Sequence, residues 1–139
     1  MNNEYFSVCE YRVTTLKRGR ENLVQATVEI NVDGTCVTRS VFGVGPVHAL
    51  DVALRDCLRD RFPEIDSLKL CDYRVSVVDS AEGTSAQVRV VIDASDGVEH
   101  WDVGCVSANI IDASFDALCS AWVLGIMRAR NAALVGRPA

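Results

Sequence analysis

The feature that most constrains this chain is that it repeats itself. "EYRV" at 10–13 returns as "DYRV" at 72–75, and "QATVEINVDG" at 25–34 returns as "SAQVRVVIDASDG" at 85–97. Gly43 followed eight residues later by Asp51 returns as Gly104 followed eight later by Asp112, so the offset stays between 60 and 63. Several matches in one order at one spacing imply two copies of a single supersecondary unit of about 60 residues. The copies are expected at about 5–62 and 68–128 of a single domain spanning 1–139, with 129–139 as a tail.

Each copy has a legible internal order. Val24, Ala26, Val28, Ile30 and Val32 alternate with polar residues, and Ala86, Val88, Val90 and Ile92 do the same, which is the period of a strand with a buried face. Asp33-Gly34 and Asp96-Gly97 are hairpin signals, so each strand should fold back on a third, around 36–42 and 98–103. The "YRV" segments supply a strand ahead of each pair. The period then becomes helical. Val47, Leu50, Leu54, Cys57 and Leu58 form one stripe and Ile111, Phe115, Leu118, Trp122 and Ile126 another. Pro46 suits a first helical turn and Ser107 an N-cap. The expected fold class is α+β, with internally duplicated βββα units, antiparallel sheets and two helices packed on one face.

Composition narrows the function. A net charge of −5 repels phosphate backbones, and the one basic cluster, "LKRGRE" at 16–21, reads as a hairpin tip, so nucleic acid is not an expected partner. No run approaches the roughly 18 consecutive apolar residues of a membrane span, and "MNNEYFSVCEYR" lacks the features of a signal peptide; the expected location is the cytoplasm, without membrane contact. Six cysteines without any C-x-x-C spacing read as small buried hydrophobes rather than a disulfide framework. Only His48 and His100 are present, so neither a metal site nor a Cys/His nucleophile stands out, and no cofactor or catalytic residue is expected.

One junction invites a ligand. In "VFGVGPVHALDVAL", 41–54, a β-branched pair runs through Gly43-Val44-Gly45-Pro46 into a helical segment. Backbone N–H groups at 43–45 would face the positive end of a helix dipole, where a carboxylate settles, and glycine removes the Cβ that would keep it away. A tight strand-to-helix turn explains the same glycines without any ligand. The repeat suggests a second such junction at Gly104 to Ser107.

"GVGPVHALDVAL", "LKLCDYRVSVVDSAEGTSAQVRVVIDASDG" and "WDVGCVSANIIDASFDAL" resemble the C-terminal regulatory, allosteric and dimerisation domain of 2-isopropylmalate synthase and its relative citramalate synthase. The resemblance covers roughly 6–125, and its second half is closer to the citramalate branch. It implies two βββα units, a homodimer, and a branched-chain amino acid effector, isoleucine before leucine. It also implies that the acetyl-CoA-dependent chemistry belongs to a separate TIM barrel, so that this chain alone is not an enzyme and a separate catalytic synthase subunit is a possible partner. Carried over by position, the effector-binding residues are Gly43, Gly45, Pro46, Val47, Leu70, Tyr73, Val77 and Ala86; Val44, between the two glycines, and Asp72, an acceptor for the ammonium group or a solvated strand end, complete the candidate set. Val44 stands where the family often has Asn, which leaves open a dimerisation module that has lost its effector.

Overall fold

The computed structural model describes residues 3–136 and divides into two units, Met1–Pro63 and Glu64–Ala139. The first contains β1 (Ser7–Arg18), β2 (Glu21–Val32), β3 (Thr35–Gly43) and α1 (Pro46–Leu58). The second contains β4 (Lys69–Val77), β5 (Val88–Ser95), β6 (His100–Ser107) and α2 (Ile110–Leu134). Each unit is a three-stranded antiparallel sheet, in the orders β1-β2-β3 and β4-β5-β6, with its helix on one face. The duplicated βββα order is therefore the fold.

In the first unit the alternation on β2 sends Val24, Ala26, Val28, Ile30 and Val32 beneath α1, where none exceeds 3% exposure. The helix answers with Ala49, Leu50, Ala53, Leu54, Cys57 and Leu58, all buried. Burial of one large aliphatic side chain stabilises by about 1.5–3 kcal/mol, so this seam is what holds the unit together. Asp33 and Gly34 both have positive φ, 51° and 81°, which makes the β2–β3 connection the two-residue hairpin whose twist suits flanking strands. The basic segment does form a hairpin tip, with Arg18 paired to Glu21 across Gly19-Arg20.

The second unit is built on the same plan with a longer helix and heavier packing. Phe115, Leu118, Trp122 and Ile126 are at most 1% exposed. The Trp101 indole N–H donates to the Ala121 carbonyl at 3.0 Å, and the Arg128 guanidinium lies 5.0 Å from the ring centroid. Gly125 is small because a Cβ there would collide with Leu68 and come 3.0 Å from Trp101. Helix α2 is long and apolar enough in composition to cross a bilayer, yet its apolar face is the core of this unit. It runs through Leu134, and residues 137–139 of the expected tail lie outside the described residues. Between β5 and β6, Asp96 accepts from the backbone N–H groups of Val98 and Glu99, both at 2.8 Å, and these bonds hold its carboxyl below the usual range.

Three sequence expectations need correction. The third strand of the second copy begins at His100, because the Asp96 turn occupies 96–99. The α2 N-cap is Asn109, and the Ser107 hydroxyl instead accepts from the Asn109 N–H. The cysteines are not uniformly buried: Cys57 and Cys119 are, but Cys9, Cys36 and Cys71 are exposed. Cys9 and Cys71 occupy the irregularities in β1 and β4, between Val8 and Glu10 and between Leu70 and Asp72. A β-bulge releases its extra residue from the alternation that would otherwise bury it.

Candidate functional site

The two glycines of the first junction are there for different reasons. Gly43 pairs with Val24 at the end of β3 and faces α1. A Cβ at 43 would lie 2.7 Å from both the Cα and the Cβ of Ala49, so what approaches this glycine is the helix's own backbone. At 43 the tight strand-to-helix turn accounts for the glycine. Gly45 is the N-cap of α1, with φ −151° and ψ 175°, an extended conformation open to any residue, and a Cβ there would have nothing within 4 Å. Neither backbone nor packing among the described residues requires glycine at 45.

Between them Val44 points outward, 86% exposed, and its N–H donates to His48 Nδ1 at 3.0 Å. Pro46 opens the helix and has no N–H to give. The Gly45 carbonyl accepts from Ala49 N at 2.9 Å, and no side chain caps the helix start. The first-turn amides of Val47 and His48 are thus left at the positive end of the dipole without a side-chain acceptor.

The second unit shows what the same position looks like when the chain fills it. Ser107 pairs with Val88 as Gly43 pairs with Val24, so the counterpart of Gly43 is Ser107. Gly104 lies inside β6 opposite Val91 and makes no junction, which corrects the equivalence drawn from sequence spacing. The counterpart of Gly45 is Asn109, whose Oδ1 accepts from Ile111 N at 2.8 Å and Asp112 N at 3.2 Å. One helix start is closed by its own carboxamide. The other is open.

The remaining candidates lie in the second unit, and the β4 register sorts them. Leu70 pairs with Ala94, Tyr73 with Ile92 and Val77 with Val88, so all three share the helix side of the sheet. Ala86, buried at the end of the 80–85 turn, precedes β5 by two residues. Leu70 and Val77 stay 37% and 54% exposed, while the Tyr73 hydroxyl is fixed by the buried Ser114 hydroxyl at 2.7 Å. Val75, paired with Val90 on the same row, was missed, although the alternation of "YRVSV" places it there. Asp72 is set apart. The irregularity at Cys71 shifts the parity, so Asp72 pairs with Asp93 on the opposite face, where it holds Arg74 at 2.8 Å and accepts from its neighbour's amide, Tyr73 N.

The fold is a duplicated βββα module whose two copies differ at the helix start. The chain belongs to the LeuA allosteric (dimerisation) domain family, which matches residues 1–124, and corresponds to the C-terminal regulatory domain of the LeuA and citramalate synthase proteins. It is 39% identical over 127 residues to an (R)-citramalate synthase of Aquifex aeolicus, covering 90% of this chain and 24% of that protein. It is 39% identical over 117 residues to the (R)-citramalate synthase of Geobacter sulfurreducens, covering 83% and 22%. With the (R)-citramalate synthase of Streptomyces coelicolor the identity is 37% over 127 residues, covering 91% and 24%. The chain therefore spans about a quarter of the length of these relatives. Among the described residues no group of three or more His, Cys, Asp or Glu is placed to hold a metal ion.

Proposed function

We propose that this chain is the amino-acid sensor of a citramalate synthase-type acyltransferase, binding isoleucine in preference to leucine and carrying no synthase chemistry of its own. The observation that carries the reading is the contrast between Asn109 and Gly45. The chain closes one helix start with a side chain and leaves the other open, at the position where a zwitterion's carboxylate would meet the Val47 and His48 amides. Gly43, Val44, Gly45, Pro46 and Val47 are the turn and first helical residues that shape that anion end, whose donors are the Val47 and His48 amides. In the second unit Leu70, Tyr73, Val77 and Ala86 offer apolar surface of the kind a branched side chain contacts, and Asp72 is engaged with Arg74 on the opposite face of that sheet. The relatives are named as (R)-citramalate synthases, and the resemblance to that branch is what puts isoleucine ahead of leucine. The effector acts by favouring one arrangement of a homodimer, and its differential affinity limits what it can transmit.

A second reading is favoured by one observation: the Val44 amide is already committed to His48 and its side chain points away, so the position contributes nothing to an effector. On that reading the domain only dimerises. Titration calorimetry with isoleucine, leucine and valine separates the two. Saturable heat with one of them, abolished by Gly45→Trp, supports the sensor. No heat from any of the three, in a chain that sediments as a dimer, leaves the dimerisation module.

A further inference from the structure

We infer that His48 is a positioning residue for the effector, acting through the Val44 amide, an inference that rests on the sensor reading above. The 43–45 turn has to present α1's first amides to a ligand while containing two glycines, the residues with the most backbone freedom to lose. Three contacts remove that freedom. Gly43 is held in the ladder opposite Val24 and against Ala49; the Gly45 carbonyl is held by Ala49 N; and the peptide between them is held by His48 Nδ1, accepting from Val44 N at 3.0 Å.

The first two contacts are backbone contacts that any sequence of this fold would make. The third depends on a side chain. His48 is the third residue of α1, the position from which a glutamate or glutamine reaches back to a preceding amide in a capping box. Here the imidazole reaches one residue further, past the N-cap to Val44. To accept at Nδ1 it must be neutral and carry its proton on Nε2.

The second copy holds its loop from within, the Asn109 N–H donating to the Ser107 hydroxyl at 3.0 Å. The residue in the same place is Asp112, whose own amide is held by Asn109. Where the helix start is closed by a cap, the preceding loop is held by its own serine. Where it is open, the imidazole supplies the order that a cap would have given. A ligand then meets a turn already in its binding conformation, and does not have to bear the cost of fixing one backbone residue, about 1–2 kcal/mol.

The test uses the full 139-residue chain with isoleucine as the probe, titrated into wild type, His48→Ala and His48→Gln at neutral pH, with 15N-labelled samples of each. The expected result is that His48→Ala weakens isoleucine about tenfold, and that His48→Gln, which keeps a neutral acceptor, recovers most of the loss. In wild type the Val44 amide should exchange slowly and Nδ1 should show the shift of an unprotonated nitrogen, both before ligand is added. Wild-type affinity in His48→Ala, or an affinity loss that Gln does not recover, would overturn the positioning role while leaving the sensor intact. Absence of isoleucine binding in wild type would instead remove the sensor reading and this inference with it.

Discussion

Substituting alanine at Gly43 and at Gly45 separately tests the distinction between the two glycines. At 43 the new methyl would sit 2.7 Å from Ala49 Cα and Cβ and 2.8 Å from Ala49 N. Carbon atoms pack best at about 3.5–4.0 Å, so roughly 1 Å of separation must be found. None of the three atoms belongs to a flexible side chain, so α1 itself has to lift from β2 and β3. That movement loosens Ala49, Leu50 and Ala53, all 0% exposed. Overpacking of this kind costs about 1–3 kcal/mol, which for a chain of this size lowers the melting temperature by about 3–12 °C. At 45 the methyl enters open space from an extended backbone, and loss of unfolded-state freedom offsets the weaker cap, leaving a change within about 0.5 kcal/mol. Thermal unfolding followed by circular dichroism at 222 nm gives both values under identical conditions. Equal melting temperatures for the two variants, or a larger loss at 45 than at 43, would refute the assignment of Gly43 to the helix and of Gly45 to an outside approach.

Other consequences are open to direct measurement. Tyr73→Phe leaves the buried Ser114 hydroxyl without its partner and should cost about 1–2 kcal/mol in urea unfolding, and a double-mutant cycle with Ser114→Ala should show that the two losses do not add. Asn109→Ala removes the acceptor for two α2 amides and should cost about 0.5–2 kcal/mol, whereas any cap engineered at 45 should compete with effector. Burial pushes the Cys57 thiol from 9.0 to about 11. Because the folded state holds that proton more tightly than the unfolded state, stability is complete below pH 9.0 and falls as pH rises toward about 11, a slope that Cys57→Ala should remove. In the native protein a thiol reagent at neutral pH should modify Cys9, Cys36 and Cys71 rapidly and leave Cys57 and Cys119 until unfolding.

The parts of the fold legible in the sequence were those set by local rules. Alternation on β2 and β5, the Asp33-Gly34 turn and the helical stripes each follow from one residue's relation to its near neighbours, and the repeat then supplied the plan. What escaped depended on register. Matching Gly43 to Gly104 paired identical letters, but strand pairing sets Gly43 beside Ser107, because helix docking and not letter identity decides where a strand ends. Counting by twos from Leu70 puts Asp72 on the same face, yet the extra residue at Cys71 reverses the parity, just as it exposes Cys71 and its counterpart Cys9. The junction itself was recognisable as a place needing glycine. Which glycine answered to Ala49 and which to open space could only come from the packing of a helix six residues further on.

Both tryptophans, Trp101 and Trp122, lie in the second unit, buried among α2 and its sheet, and the first unit has none. Intrinsic fluorescence therefore watches one copy of the repeat and is blind to the other, whereas circular dichroism records both. A single denaturation experiment read through both channels would give superimposed curves if the copies unfold as one cooperative block. It would give two midpoints if they do not, the fluorescence midpoint belonging to the second unit and the additional dichroism midpoint to the half that holds Gly45.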